Sequence, residues 1–547
     1  MTPAIVLDVA AGLAIAGLVV LGWRALWFLT DDAYIAFRYA SNLLSGRGLV
    51  WNAAPFVRVE GYTSFLWVVL LAGVWRLTGL EPPVTANVLS LFAGFGSLAI
   101  GLAWLRRLPS LAASGLRERT IVWLAVLGIA SDRSFLTWLS SGLETALFDF
   151  LFLWWLFECF ELSEASGIGA RLRLTTSAAL LALCRPDGLL AVAATPLALA
   201  ACPARGRRLG AELAAQAPLL GVATHLLWRR AYYGFWVPNT YYAKHLGAWP
   251  EAGARYLGCF VLEYGYWLLL VFAGIAWWRG GFAVRLQSHA SLRRSAPRAL
   301  ALAVLVAHAF YYTFVIGGDH FEYRVYSHLV IPLWILAADV VCRAFRTTPA
   351  RAAALASLLI ASWGLSWAQW AATKDVQPSR SERHAWVVKL AGRTPAPFAG
   401  VVAVWDDWQE WLIGRYVCVR WHEHREFERY YRALLPRRLS NAQLGTEGPP
   451  VLALPSVGIA GWMLPDAFVI DEFGLNDRVV ARTTAPTSVA QRRMAHDRAP
   501  PPGYVECFRP NLLLSNRGLE RLPHVAPLTA ERIRECERIG WSKVSGG

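Results

Sequence analysis

Charge is scarce in this 547-residue sequence: Asp, Glu, Lys and Arg make up 17% of it, against 56% hydrophobic residues and a mean hydropathy of +0.37. A soluble chain of this length exposes more charge, so a soluble enzyme is excluded and the bilayer is the solvent for much of the molecule. Cysteine is also sparse, eight in all, and no spacing among them resembles a zinc site. Cys159, Cys184, Cys202, Cys259 and Cys342 fall in or beside apolar runs and read as small buried hydrophobes. Cys418, Cys507 and Cys536 lie in the tail, where an odd number allows at most one bridge. There is no Gly-rich phosphate loop, so no nucleotide is expected. Internal repeats and low-complexity tracts are missing too. The first apolar stretch has neither a basic region before it nor a small-residue cleavage site after it, so residues 4–27 are expected to stay as a first span.

What charge there is has a pattern. The formal net charge of +15 gathers as Arg in short loops such as "ARGRRLG" and "SLRRSAPR", an orientation signal for a membrane protein and not a nucleic-acid stripe. Nucleic acid is therefore not an expected partner; the lipid bilayer is.

Spanning the hydrocarbon core takes roughly 20 apolar residues. Candidate spans are 4–27, 64–80, 84–105, 120–139, 145–160, 213–231, 256–278, 299–316, 325–345 and 352–371, and the run 174–201 is split by "CRPDG" into two short helices. Basic loops at 203–208, 279–298 and 343–351 point to the cytoplasm, which puts 232–255, "GGDHFEYR" and the tail on the opposite side. Arg106, Arg107, Arg117 and Arg119 fit that rule if 64–80 and 84–105 together make one net crossing, the first being re-entrant or interfacial. The expectation is about eleven crossings with the N-terminus inside. Residues 1–371 then form a transmembrane unit and residues 372–547 a small extracytoplasmic α/β domain, with strands in "GVVAVWD", "VLALPS" and "AFVIDEFGL".

The reactive groups cluster in the loops of one face. "FLTDDAYIAFRYASNLLSGRGLVWN" places Asp31 and Asp32 straight after the first span. Ala33, Ala36, Phe37, Ala40, Leu43 and Leu44 share one side of the following helix, Tyr34, Arg38, Ser41, Asn42 and Ser45 take the other, and Gly46 and Gly48 end it. Thr30, Asp31 or Asp32 caps this helix; neighbouring residues point different ways, so at most one Asp aims at a substrate. The same face carries Glu60 in "VEGYTSFLW", Glu144 in "SGLETALF", Arg185 and Asp187 in "RPDG", and Asn239, Tyr241, Tyr242, Lys244 and His245 in "PNTYYAKH". It also carries Asp319, His320, Glu322 and Arg324 in "GGDHFEYR". A carboxylate takes a proton from a hydroxyl nucleophile, while Lys, Arg or a divalent cation steadies a departing phosphate. Trp and Tyr supply flat surfaces for sugar rings, although most of the 27 Trp read as interface anchors. "RWHEHREFERY" carries His422, Glu423 and His424 at a spacing that suits a strand and a solvated charged patch better than a metal-binding helix.

Taken in order, "TDDAYIAFRYASNLLSGRGLVWN", "VEGYTSFLW", "SGLET", "RPDG", "PNTYYAK", "GGD" and "FVIDEFGLNDRVVAR" resemble the terminal arabinofuranosyltransferase B family, bacterial membrane enzymes of the GT-C glycosyltransferase fold. The resemblance runs from about residue 30 to 482. It implies a polyprenyl-phosphate sugar donor, a cell-envelope glycan acceptor, and a multi-pass protein of the bacterial plasma membrane. By resemblance Asp31 and Asp32 are the catalytic pair, one acting as base or metal ligand. Arg38, Tyr39, Glu60, Tyr62, Glu144, Arg185, Asn239, Tyr241, Lys244, His245, Asp319, His320 and Arg324 are expected around the substrates, Lys244 at the lipid phosphate. A magnesium, manganese or calcium ion would draw on Asp31, Asp32, Asp319 and His320. Asp471, Asn476 and Asp477 are expected where the tail meets acceptor glycan. The reading is transfer of a sugar, arabinofuranose first; mannose or aminoarabinose, or a lipid or protein acceptor, stays open. So does a transporter or flippase, which would place its charges at mid-bilayer in broken helices with repeat symmetry.

Overall fold

A computed structural model describes residues 3–111, 115–203, 209–280, 289–375, 388–445, 449–484, 488, 491–522 and 528–545. The basic stretches 204–208 and 281–288, parts of two loops expected to set orientation, lie outside the described residues. In chain order the first helices are α1 Pro3–Ala25, α2 Asp31–Leu44, α3 Phe65–Thr78, α4 Pro82–Arg107, α5 Leu116–Ser131, α6 Arg133–Trp138, α7 Thr145–Glu161, α8 Ile168–Cys184 and α9 Leu189–Ala201. Then come α10 Leu209–Ala214, α11 Ala217–Tyr233, α12 Asn239–Lys244, α13 Pro250–Glu263, α14 Trp267–Trp278, α15 His289–Phe310, α16 Val330–Ala344 and α17 Thr348–Thr373. The tail holds α18 Ala396–Ile413, α19 Trp421–Leu434, α20 Asn441–Leu444, β1 Val451–Leu454, α21 Gly458–Met463, β2 Phe468–Asp471, α22 Tyr504–Cys507, β3 Leu512–Ser515, β4 Gly518–Arg521 and α23 Ala530–Ser545.

The molecule is a multi-pass helical membrane protein. Five helices among the described residues are long and apolar enough to cross a bilayer, or six if α13 and α14, bent by 74° at their junction, count as one span. Of the other expected crossings, α5, α7, α8 and α11 have 16 or 17 residues, short of the roughly 20 that cross unaided. The 14 residues of α3 are shorter still. Near the start of α1, Asp8 accepts from Arg106, Arg119 and the Trp123 indole. Arg106 and Arg119 therefore sit at the N-terminal end of α1. The "CRPDG" break holds, with α8 ending at Cys184 and a 3-10 turn, Pro186–Gly188, leading into α9.

The tail folds around a four-stranded sheet in the order β2-β1-β3-β4, with β1 parallel to β2 and β3 and β4 antiparallel to β3. Two of the three expected strands are β1 and β2. "GVVAVWD" is not a strand; it lies inside α18, whose Val402, Trp405, Asp406, Gln409 and Leu412 are buried at helical spacing, so tertiary packing overrides its β-branched residues. Cys507 and Cys536 form a disulfide, and the other six cysteines are free and buried.

Among the contacts that join the tail to the preceding helices, two bear on the site. One is a buried ion-pair cluster: Glu263 of α13 takes Arg133 of α6 and Arg420, at 3.0 and 2.8 Å, and Glu322 takes the same two arginines at 3.0 and 3.5 Å. It anchors the loop before α16 that carries Asp319, His320 and Arg324. The other is α21, which lies against α2. Asp31 Oδ2 and Oδ1 accept from the backbone N–H groups of Gly458 and Ile459 at 3.0 and 2.8 Å, and Arg38 donates to the carbonyls of Gly461 and Leu464. The helices approach so closely that a Cβ on Gly458 would meet the Asp31 carbonyl oxygen at 1.9 Å. Gly458→Ala is therefore expected to cost at least ~1–3 kcal/mol through overpacking against backbone. Gly364→Ala, where a Cβ meets nothing within 4 Å, is the control. Thermal unfolding in detergent should show a lowered midpoint for the first only, and equal midpoints would refute the close fit.

Candidate active site

The carboxylate pair sits where α1 gives way to α2. Thr30, not either aspartate, caps α2: its Oγ1 accepts from the Ala33 N–H at 3.2 Å. The turn is fixed across the fold, because Thr30 N–H donates to Ser141 O and Ser141 N–H to Phe28 O, both at 3.0 Å. Asn87 of α4 ties the two segments of this corner, donating to Phe28 O at 3.1 Å and accepting from Gly142 N–H at 2.8 Å. Both aspartates are thereby released from capping their own helix. Asp31 caps α21 instead, and Asp32 faces Lys244, whose Nζ is 3.7 Å from Oδ2.

Two cavities meet at that pair. The first, about 540 Å³, lies between α2, α19 and the tail and is lined by Asp31, His320, Tyr416, His424, Phe427, Tyr430, Asp471, Phe473 and His496. The second, about 580 Å³, runs between α9, α12 and the end of α15 and is lined by Tyr62, Glu144, Arg185, Asp187, Leu189, Leu190, Tyr241, His245, His308, Tyr312, Asp319 and Arg324. Asp32, Ile35, Lys244, Leu475 and Ala495 belong to both walls.

Electrostatics separate the neighbours. Burial pushes the Asp31 carboxyl up to about 7 against the pull of its two N–H donors. Asp32 is also raised by burial, but the Lys244 ammonium, with the other positive groups around it, outweighs that effect and holds it below the usual carboxylate range. Asp32 is thus the ionised member at neutral pH. Burial pushes the His320, His424 and His496 imidazoles below the usual histidine range, so neutral rings line the wall beside it.

No protein-family model matches the chain. It is 29% identical over 346 residues to the terminal beta-(1->2)-arabinofuranosyltransferase of Corynebacterium glutamicum, covering 58% of this chain and 48% of that protein. The Mycobacterium tuberculosis protein of the same name is 29% identical over 262 residues, covering 46% and 40%. The chain spans about half the length, or less, of the curated relatives it matches. Among solved structures, ArnT from Cupriavidus metallidurans bound to undecaprenyl phosphate superposes with a TM-score of 0.52 at 13% identity, covering 84% of this chain and 85% of ArnT. The chain is similar to terminal arabinofuranosyltransferases and has the GT-C fold.

Not every expected site residue reaches a cavity. Arg38, Tyr39, Glu60 and Asn239 are buried clasps. Beyond α21, Arg38 donates to Trp51 O at 2.9 Å and Ala467 O at 2.7 Å. Tyr39 donates to Val59 O at 2.8 Å, Glu60 pairs with Arg229 at 2.9 Å, and Asn239 donates to the carbonyls of Gly474, Leu475 and Asp477. In the tail, Asp477 accepts from the N–H groups of Val479 and Val480, and Asp471 from those of Phe473, Gly474 and Asn476. These acids, expected to meet glycan, build turns, and only Asp471 also reaches the first cavity. The four proposed cation ligands do not gather: Asp31 holds α21, Asp319 is doubly bonded to Arg324 at 2.7 and 3.2 Å, and His320 Nδ1 is 2.9 Å from Tyr416 O. Among the described residues no group of three or more His, Cys, Asp or Glu is arranged to hold a metal ion.

Other wall residues went unexpected. "RWHEHREFERY" forms α19, not a strand, and presents Glu423, Phe427 and Tyr430 to the first cavity with His424. Its Phe427, Tyr431 and Leu434 do follow a helical period, the signal that identifies it. His422 is buried, not solvated. His308 and His496 carry no motif at all. Removing Asp31 leaves two N–H groups of α21 without a partner, so Asp31→Ala should lower stability by about 1–3 kcal/mol, whereas Asp32→Ala should leave the melting midpoint near wild type. Differential scanning of both variants in one detergent checks this; equal losses would mean that Asp32 is structural as well.

Proposed function

We propose that the chain is a glycosyltransferase of the bacterial plasma membrane that moves arabinofuranose from a polyprenyl phosphate to a hydroxyl of an extracytoplasmic envelope glycan. One observation carries this reading: Asp32 and Lys244, 3.7 Å apart, stand on the wall common to both cavities. The second cavity suits the donor. Leu189, Leu190, Val237 and Ile316 give it an apolar side for a prenyl chain, and Lys244, Arg185 and Arg324 give it cations for the phosphate. The first suits a glycan, with Phe321, Tyr416, Phe427, Tyr430 and Phe473 offering faces on which sugar rings stack. The relatives named as terminal arabinofuranosyltransferases and the undecaprenyl phosphate bound to ArnT support a sugar donor carried on a polyprenyl phosphate.

The chemistry follows from the junction. The Asp32 carboxylate takes the proton of the acceptor hydroxyl, whose oxygen forms the new bond to the anomeric carbon. The bond from that carbon to the phosphate oxygen breaks, and its electron pair leaves on the phosphate, next to the Lys244 ammonium. As Lys244 turns toward the departing dianion its hold on Asp32 weakens, which raises the basicity of Asp32 at the moment a proton has to be accepted.

Purified protein is incubated with polyprenyl-phosphoryl arabinofuranose, mannose or aminoarabinose and an arabinan acceptor, with products read by mass spectrometry. A pentose is expected to be added from the arabinofuranosyl donor alone. Asp32→Asn should slow transfer by about 100-fold to 10,000-fold, and a wild-type rate in that variant would end the base assignment. Lys244→Ala should raise the donor KM by roughly tenfold to a hundredfold. Phe427→Ala should raise the acceptor KM and leave that of the donor alone; the reverse pattern would exchange the roles of the cavities.

A further inference from the structure

The inference rests on the first cavity being the glycan site and deepens that reading. Beside Asp32 the cavity is walled by two histidines from distant parts of the chain, His320 from the loop before α16 and His496 from the tail. Their rings stand 4.9 Å apart, and each is close enough to Asp32 to feel its charge. The hydrogen on each ring is placed by a backbone partner. His320 Nδ1 is 2.9 Å from Tyr416 O, and His496 Nδ1 is 2.6 Å from Met494 O. A carbonyl oxygen only accepts, so both Nδ1 atoms carry the hydrogen, and in a neutral ring the lone pair is then on Nε2. Burial pushes the two imidazoles down to about 4 and about 3, which keeps them neutral.

Nε2 lies further out along the side chain and is the ring nitrogen left for the cavity. Neither Nε2 makes a hydrogen bond within the protein, yet neither is sealed in as the Nε2 of His424 is. Packing holds both rings in place: Phe473 and Tyr416 stand 4.8 and 4.9 Å from His496, and Phe321 and His424 stand 5.0 and 5.4 Å from His320. Of the hydrogen-bond donors on the same wall, Lys244 faces Asp32, Arg429 donates to Glu426 at 2.9 and 3.0 Å, and the Tyr430 hydroxyl donates to Asn516 at 2.9 Å. Arg493 is exposed and lies over the Tyr416 ring at 5.5 Å. Two fixed lone pairs beside a carboxylate suit a ligand that brings the hydrogens itself, and a sugar does so through its hydroxyls.

We propose that His320 and His496 read the end of the glycan: each Nε2 accepts a hydrogen bond from one hydroxyl of the terminal sugar, and together they hold a further hydroxyl, the nucleophile, at Asp32. A terminal arabinofuranosyl residue matches this arrangement, with one hydroxyl to react and two to be read. The substrate class is thereby narrowed to glycans whose terminal sugar keeps its unreacting hydroxyls free. An end already substituted at one of them is refused.

The test uses the full chain in detergent, polyprenyl-phosphoryl arabinofuranose, and three synthetic arabinans: a parent, and two in which one or the other unreacting hydroxyl of the terminal residue is replaced by hydrogen. For wild type each replacement should lower kcat/KM for the arabinan by about tenfold to a hundredfold, because it strands one lone pair. His320→Phe and His496→Phe keep a ring and remove the lone pair. Each should lose a similar factor on the parent, keep the donor KM, and use the parent and one of the deoxygenated arabinans equally well. Wild type that uses both deoxygenated arabinans as well as the parent overturns the inference without any variant. So do penalties that persist unchanged in both variants, or a metal ion that copurifies with wild type and is lost from both; in each case transfer to the parent leaves the proposed function standing. Wild type that transfers to none of the three arabinans removes that function and the inference together.

Discussion

A short helix held at both poles by one longer helix is the constraint on which the rest of the site depends. Asp31 and Arg38 lie about two turns apart on α2 and grip opposite ends of α21, the carboxyl at the N–H end and the guanidinium at the carbonyl end. The carboxyl oxygens accept at the pole that offers free N–H groups, and the guanidinium donates at the pole that offers free carbonyls. Gly458 lacks the side chain that would keep the two backbones apart, and Gly461 leaves room for the side chains of Arg38 and Trp51, the latter 2.6 Å from where a Cβ would stand. The carboxylate that looks most catalytic by position is therefore committed to docking the tail. Its commitment fixes the rotation of α2 and thereby turns Asp32, roughly 100° further around the helix, toward Lys244 and both cavities.

The same economy of charge runs through the cavities. A cation with no anion in a dry site would lose much of its charge stabilisation, and an unmatched carboxylate would take up a proton. Matching each cation to a carboxylate lets Arg185, Arg324 and Lys244 line the second cavity without that penalty. Lys244 differs from the two arginines in standing 3.7 Å from its partner, beyond hydrogen-bond reach, where Arg324 makes two hydrogen bonds to Asp319. The looser pair is the one at the junction of the two cavities.

In the membrane half the "CRPDG" break and the helix start after Thr30 were legible because each is decided within a few residues, whereas run length alone did not fix the spans, since five or six helices among the described residues are long and apolar enough to cross. The α/β character of the tail was legible for β1 and β2 and misread at 400–406 and 420–430. At 400–406 the composition is β-like, yet Val402, Trp405, Asp406 and Gln409 are buried at a helical period; at 420–430 the spacing of His422, Glu423 and His424 suited a strand, yet Phe427, Tyr431 and Leu434 follow a helical one. His496 and His308 could not be found, since each is a single histidine whose meaning comes from neighbours far away in the chain: His320 in one case, Asp187 in the other.

The division of labour within each motif explains why residue type alone could not sort clasps from walls. Asn239 and Lys244 belong to one short helix, yet the amide holds the 474–477 turn and the ammonium faces the cavities. Arg38 and Asp32 share α2 in the same way, and so do Glu60 and Tyr62 their loop, where the first pairs with Arg229 and the second reaches the second cavity. These outward segments thus do two things at once, gripping the fold with one polar residue and presenting a wall with another. The first cavity has no far side until the tail is docked, because His424, Phe427, Tyr430, Phe473 and His496 all come from it. Polar residues dense enough to look like a large active site are, in good part, the fastenings that bring its second half into place.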